Sequence, residues 1–328
     1  MAQYTIRRVF LMVVTLLLIS IVSFVIIQLP PGDFVSHYIA SLGLEADTTD
    51  TAEYDALRRH FGLDQPEYVQ YLKWMRNLLR GDWGMSLFWR RPVRDMIGDR
   101  VMLTLVISVS TLLVQWVVAF PIGIYSAVKQ YSIGDYVLTA ISFIGVGTPS
   151  FLLALVVMYT SYQLLGYNVV GLFSPAFQDA PWSWAKVQDL LKHLWTPLLI
   201  LAVGGTAHLI RTMRALMLDE LHKPYVVTAR AKGLAERRLL VKYPVRLALN
   251  PFVSTVGWAL PGLISGTTIV SIVLGLPTTG PLLLQALRRE DMYLAASFLM
   301  LLSALTVVGT FLSDVLLAAL DPRIRLTS

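Results

Sequence analysis

The chain has 328 residues, 55% of them hydrophobic and only 15% charged, with a formal charge of +6 and no cysteine. Average soluble domains hold roughly 45–50% apolar and about 25% charged residues, so a mean hydropathy of +0.63 leaves too little polar surface to coat a 36.6 kDa particle in water. A soluble globule is excluded, as are disulfides, thiolate catalysis, Cys-ligated zinc and iron–sulfur clusters.

A bilayer core about 30 Å thick needs about 20 apolar residues at 1.5 Å rise each. Six such runs occur: residues 9–29, 101–127, 136–165, 194–210 and 251–276 contain no Asp, Glu, Lys or Arg, and Met292–Leu320 contains only Asp314. The first follows Arg7 and Arg8, but it exceeds a signal-peptide core and no small-x-small cleavage site follows, so it is expected to remain as an anchor. Basic residues in short connections set orientation. With the N-terminus inside, the inner short segments hold 14 Lys and Arg, and the outer ones hold four: Lys186, Lys192, Arg288 and Arg289. Both termini are therefore expected to be cytoplasmic, with the 71-residue segment 30–100 outside. Trp182, Trp184 and Trp195 fit an outer aromatic belt.

Within the outer segment, residues 65–80 predict an amphipathic helix whose apolar face is Tyr68, Leu72, Met75 and Leu79, with Lys73, Arg76 and Arg80 mostly elsewhere. Gly81 supplies the stop. Nine basic against eleven acidic residues make 30–100 a solvated cap rather than a nucleic-acid surface, and its apolar face is expected to pack on the bundle.

Three spans are interrupted: the third by Gly145, Gly147, Thr148 and Pro149, the fourth by Pro197, Gly204 and Gly205, the fifth by Pro261, Gly262 and Gly266. Such breaks fit either close helix packing or a bundle around a path, where neighbours or water satisfy freed backbone groups. On the second reading Gly147, Thr148, Ser150, Ser265, Thr267 and Ser271 are the candidate lining residues. No internal repeat of the kind seen in many secondary transporters is evident.

The inner loop 211–250 holds nine basic and three acidic residues, a net +6 that equals the charge of the whole chain. Pro224 suits the first position of a helix, Tyr225, Val226, Val227, Thr228, Ala229, Arg230, Ala231 and Lys232 complete about two turns, and Gly233 supplies a left-handed stop before Leu234. A second helix is expected through Glu236, Arg237, Arg238, Leu239 and Leu240. Isolated helices below about 12–15 residues are marginal, so the first of these invites docking in a partner's groove. Val226, Ala229 and Leu234 are expected to fill that groove while Arg230 and Lys232 meet acidic groups at its rim; a purely topogenic charge cluster is the other reading.

Thr228-Ala229-Arg230-Ala231-Lys232-Gly233-Leu234, followed by Glu236-Arg237-Arg238 and Asn250-Pro251, resembles the cytoplasmic EAA-type loop of binding-protein-dependent ABC importer permeases, in the version of the oligopeptide and dipeptide branch. Matches run from end to end: Ile6-Arg7-Arg8, Pro31-Gly32-Asp33, Gly62-Leu63-Asp64-Gln65-Pro66, Leu79-Arg80-Gly81-Asp82-Trp83-Gly84, Arg91-Pro92-Val93, Pro149-Ser150-Phe151 and Leu320-Asp321-Pro322-Arg323-Ile324-Arg325. The resemblance implies an all-α polytopic membrane protein with a type I importer bundle of six transmembrane helices. Residues 1–29 would form the N-terminal segment and first span, 30–100 the extracytoplasmic segment, and 101–328 the core permease domain. It implies a bacterial or archaeal cytoplasmic membrane, a second homologous permease, two ATPase subunits and an extracytoplasmic solute-binding protein. Tyr225 to Leu234 would be the coupling helix. A peptide is the solute the branch implies, with an oligosaccharide or other small solute as the alternative. The chain departs from the branch at Val227, where the motif has its glutamate, at Pro244 inside the second loop helix, and at Ser271 and Pro277-Thr278-Thr279-Gly280-Pro281.

Chemistry of its own is not evident. No Gly-x4-Gly-Lys-Ser/Thr phosphate loop occurs, so ATP and its magnesium are expected to be handled by partner ATPases. The histidines His37, His60, His193, His208 and His222 lack metal-site spacing. His208 and Asp314 are expected to pack or hydrogen-bond between helices. A proton-coupled transporter would need more intramembrane acids, and an intramembrane enzyme a paired acid and base.

Overall fold

The computed structural model describes residues 2–28, 56, 59, 64–86, 88–289 and 291–320. Motifs at 31–33, 62–63 and 321–325 lie outside these, as do His37, His60 and the side chains of Ser265 and Asp314. The described elements are helical: α1 (Ala2–Gln28), α2 (Glu67–Leu79), α3 (Val93–Val128), α4 (Ile133–Gly147), α5 (Ser150–Leu165), α6 (Trp184–Leu221), α7 (Pro224–Ala231), α8 (Glu236–Lys242), α9 (Pro244–Ala248), α10 (Asn250–Val273), α11 (Thr279–Arg288) and α12 (Met292–Leu320). Among the described residues four helices are long and apolar enough to cross a membrane, and five spans result if the bent pair α4–α5 counts as one.

That pair turns through 98° at Thr148 and Pro149. The proline ring disfavours helical backbone at the residue before it, and Thr148 is accordingly extended, with φ −93° and ψ 116°. The expected third span is thus two helices. By contrast Pro121 and Pro197 lie inside α3 and α6 without ending them. At 38 residues, α6 is about 57 Å long, nearly twice a bilayer core, so one end projects well beyond the apolar stretch.

Two compact units are present, Met1–Thr104 with Thr278–Phe311, and Leu105–Pro277 with Leu312–Ser328. In the first, α2 packs on the last turns of α1. Phe24, Trp74, Met292 and Ala296 are buried together, with Tyr71, Met75 and Leu78 against them. Phe24 meets the Tyr71 ring edge-on at 5.5 Å, and Ser20 Oγ shares a 2.8 Å hydrogen bond with the Tyr71 hydroxyl. The buried face of α2 is therefore Tyr71, Trp74, Met75 and Leu78. The expected face is corrected: Tyr68, Leu72 and Leu79 are exposed, because the face carrying Trp74 and Tyr71 buries more aromatic area.

Asp291 fastens the remainder of this unit. Fully buried, it accepts from Ser86 Oγ (2.5 Å) and Phe88 N–H (3.2 Å) through Oδ2, and Oδ1 accepts from Leu294 N–H (3.2 Å), which caps α12. The Arg289 guanidinium lies 3.7 Å from the Phe88 ring centroid.

In the second unit small residues allow close helix approach. Gly145 faces Ala207 and Val203, and a Cβ at Gly205 would lie 2.1 Å from Gln115 Nε2, which donates to Leu201 O at 3.3 Å. For Gly145 and Gly205 close packing is the reading that holds. The connection before α6 is anchored by buried Asp189, which accepts from Ser174 N–H (2.7 Å) and Oγ (2.6 Å). Lys186 Nζ donates to Ala180 O (2.6 Å) and sits 5.3 Å from the Trp182 ring centroid. Trp182 thus serves this connection, and it stays exposed together with Trp184 and Trp195. The side chain of His208, expected to pack, is exposed as well.

Candidate functional site

The +6 loop is built on the projecting end of α6. Met213 and Met217 of α6 are fully buried with Ala127, Ala248 and Phe252, and Leu221, Leu240 and Val245 close over them. Gly123 permits this approach, since a Cβ there would lie 2.7 Å from Met213 Cβ. Phe120 and Phe252 rings meet at 4.8 Å. Next to Met213, Arg214 clasps Asp135 with two parallel hydrogen bonds, Nε to Oδ1 at 2.9 Å and Nη2 to Oδ2 at 2.8 Å. Asp135 also accepts from Tyr131 N–H at 3.0 Å and is buried, so this bidentate pair fixes the start of α4 to α6. Neither residue was singled out in the sequence, although Ser132, whose hydroxyl accepts from Asp135 N–H (3.2 Å), forms with Asp135 a recognisable Ser-x-x-Asp helix start.

From Leu221 the chain passes through His222 and Lys223 into α7. Pro224 occupies its first position, where no N–H is needed. Val226 is fully buried and pins the helix to its own chain, which corrects its expected place in a partner's groove. Tyr225 donates its hydroxyl to Glu220, and its ring lies 6.2 Å from that of Tyr243. Desolvation, then the Glu220 carboxylate, pushes the Tyr225 phenol up to about 12, so it remains a donor at physiological pH.

The helix stops as the sequence implies. Gly233 has φ +79°, Gly233 N–H bonds to Arg230 O at 3.0 Å and Leu234 N–H to Ala229 O at 3.3 Å, so a left-handed residue satisfies the last carbonyls. Arg230 then reaches across the stop to Glu236 in α8, Nη2 to Oε1 at 2.7 Å and Nε to Oε2 at 3.2 Å. This hydrogen-bonded pairing lowers the Glu236 carboxyl below its ordinary range and raises Arg230. Arg230, expected to meet a partner's acids, has an internal one. α8 turns its fully buried Leu239 inward and ends at Tyr243, because Pro244 starts α9; the second loop helix therefore ends at the proline.

What α7 leaves outward is Tyr225, Val227, Thr228, Ala231, Lys232 and Gly233, all exposed, with Ala229 and Leu234 half-buried. A rigid platform thus carries a small helix whose outward face is apolar, small and basic. The pathway candidates are placed on three helices, Gly147 ending α4, Ser150 opening α5 and Ser265, Thr267 and Ser271 on α10, with Thr148 in the break between α4 and α5. Gly147 is exposed with open space about it; Thr148 and Ser150 are half-buried, the Thr148 hydroxyl bonding Ile144 O at 2.8 Å. Thr267 and Ser271 are buried, the Ser271 hydroxyl without a hydrogen-bond partner among the described residues.

Comparison with known proteins agrees with this architecture. The family described as binding-protein-dependent transport system inner membrane component matches residues 119–326, and the N-terminal family of the same membrane components matches residues 1–110. The oligopeptide transport system permease protein AppB of Bacillus subtilis is 34% identical over 326 residues, covering 99% of this chain and 100% of that protein. A putative peptide permease protein of Brucella ovis is 34% identical over the full length of both, and the oligopeptide transport system permease protein OppB of Mycobacterium tuberculosis is 29% identical over 331 residues. A solved structure of the MetNI methionine ABC transporter in inward-facing form is similar in fold, with a TM-score of 0.53 at 18% identity over 69% of this chain and 96% of that one. Membership implies a multi-pass membrane component that works with a solute-binding protein and ATPases. The chain belongs to the binding-protein-dependent transport system inner membrane components and is a permease subunit of an ABC importer.

Proposed function

We propose that the chain forms half of the translocation pathway of a peptide importer and receives the transport stroke through Tyr225 to Leu234. The observation that carries this is the outward face of α7, held by buried Val226 beneath and the Arg230–Glu236 clasp beside it. A helix fixed this firmly moves with α6 and α8 as a body, so force applied to it reaches the spans instead of being lost in loop motion. ATP and magnesium are bound and used by two ATPase subunits, and a second homologous permease completes the pathway. The names of relatives that align end to end support a peptide as the solute. Six spans, cytoplasmic termini, an external 30–100 segment and a core domain at 101–328 complete the reading, supported by the basic asymmetry of the short loops. Gly147, Thr148, Ser150, Ser265, Thr267 and Ser271 are the proposed polar lining, supported by the break at Pro149.

Co-purification of the chain with its ATPases, followed by receptor- and peptide-stimulated ATP hydrolysis in proteoliposomes, tests the proposal. Stimulation that survives in an Ala231→Glu variant with normal assembly would reduce the loop to a topogenic charge cluster.

A further inference from the structure

The correction on α2 leaves an apolar stripe unexplained. At about 100° per residue, the exposed side chains Tyr68, Leu72 and Leu79 fall within about 40° of arc, beside the buried face. Arg76, Arg80 and Lys73 occupy the neighbouring arc; all three are exposed, and none pairs with a carboxylate of the described residues. The helix therefore has three sectors: one on the chain, one apolar and bare, one basic.

Its depth is set by what it touches. Tyr71 bonds Ser20, Phe24 meets the Tyr71 ring edge-on and the Trp74 ring at a tilt, and Gln28 Nε2 donates to Gln70 Oε1 at 3.3 Å. All three α1 residues lie in its final nine positions, about 12 Å of helix. Ile21, Val22 and Val25 among these contacts, and Leu17 and Leu18 just below them, are exposed on an apolar helix of membrane-crossing length. α2 is thus seated at the boundary where hydrocarbon gives way to headgroups.

We propose that α2 is an interfacial helix that binds anionic phospholipid, with Tyr68, Leu72 and Leu79 in the acyl boundary and Lys73, Arg76 and Arg80 on lipid phosphates. The inference rests on α1 spanning the membrane. A bare apolar stripe at this depth is covered by acyl chains at no cost, and long basic side chains reach from it to phosphate while their stems stay apolar. Juxtamembrane basic clusters gain further from an anionic surface.

Because the chain has no cysteine, single cysteines at Leu72, Leu79, exposed Asn77 and Leu17 of α1 can each carry an environment-sensitive fluorophore. The full transporter is placed in nanodiscs with nitroxide-labelled lipid, with phosphatidylglycerol present or replaced by phosphatidylcholine. Labels at Leu72 and Leu79 should shift to the blue and be quenched by the lipid nitroxide, while the Asn77 label is quenched by aqueous iodide. Replacing phosphatidylglycerol should weaken lipid quenching at Leu72, and the Lys73→Gln, Arg76→Gln, Arg80→Gln variant should lose that lipid dependence. Water-accessible labels at Leu72 and Leu79 beside a lipid-quenched Leu17 label would overturn the proposal alone. A water-exposed Leu17 label would overturn the spanning of α1 as well. Protection at Leu72 that appears only on adding the solute-binding receptor would assign the stripe to a protein contact and also overturn it.

Discussion

Arg230 and Glu236 clasp each other across the left-handed stop at Gly233, two parallel hydrogen bonds spanning the turn between α7 and α8. Both side chains are half-exposed, and exposed pairs contribute little to global stability. The clasp therefore acts on the angle between α7 and α8. Its pH dependence follows from the depressed Glu236 carboxyl: the stabilisation is complete above the ordinary glutamate value of 4.5 and is lost as pH falls through the lowered value in the folded chain. Glu236→Gln should leave the unfolding midpoint unchanged at neutral pH but raise the mobility of a spin label at Lys232. In the native protein that mobility should rise only once pH drops below 4.5.

Gly233 itself has no neighbour that a Cβ would strike, so a substitution there acts through backbone conformation alone. A β-branched residue held left-handed loses about 1–2 kcal/mol, and the loop can escape by redirecting α8. Gly233→Val should abolish transport and receptor-stimulated ATPase activity while insertion into the membrane stays normal. Gly233→Asn, which tolerates the conformation, should retain a measurable fraction of both activities.

Asp291 offers a sharper test because its two oxygens have different duties. Ala removes the cap and leaves Ser86 Oγ and Phe88 N–H without their acceptor, a loss of roughly 2–4 kcal/mol from cap and buried hydrogen bonds together. Asn cannot restore it, since an amide accepts on one oxygen and Asp291 accepts on both. Both Asp291→Ala and Asp291→Asn should expose the segment around Ser86 to limited proteolysis, with Ala the more susceptible; equal resistance in all three proteins would refute the account.

The sequence discloses these features unevenly. Helix α7 is legible because its determinants are local: Pro224 opens it and Gly233 closes it within ten residues. The break at Pro149 is legible in the same way, although the sharpness of the turn is not. The Asp135–Arg214 pair joins residues 79 apart, and no spacing rule links them. The α2 face was misassigned for a different reason. Two apolar stripes share one helix there, and periodicity gives each the same weight; only the aromatic surface of Phe24 and the hydroxyl of Ser20, waiting on α1, select Tyr71 and Trp74.

Gly205 lies where α6 meets α3, and its missing side chain makes room for the Gln115 amide. A Cβ there must displace that amide from Leu201 O, leaving a buried polar group unpaired at a cost of roughly 1–3 kcal/mol. Gly205→Ala should therefore lower the unfolding midpoint of the purified chain in detergent. Gln115→Ala should soften the effect, because the shortened side chain vacates the volume and removes the orphaned amide. The double variant is expected to be more stable than the sum of the single changes implies, a coupling that a thermal double-mutant cycle reads directly.

The two faces of α7 separate the same way. Val226 is fully buried in the chain, whereas Ala231 is exposed on the same short helix. Val226→Ala removes two buried methyl groups, a loss of about 1–3 kcal/mol by transfer and cavity terms, and should loosen the loop toward proteolysis before any partner is added. Ala231→Glu adds a charge in water, so the isolated chain should keep its unfolding midpoint and protease resistance. If α7 docks on the ATPase as proposed, that charge is desolvated in the assembled transporter and repelled by any acids that serve Lys232, which costs affinity. Ala231→Glu should thus co-purify less ATPase from a permease of normal stability, and Val226→Ala should co-purify less only in proportion to its unfolded fraction. The measurement is the ATPase-to-permease ratio across a temperature series: a deficit independent of temperature for Ala231→Glu, and one that grows on warming for Val226→Ala.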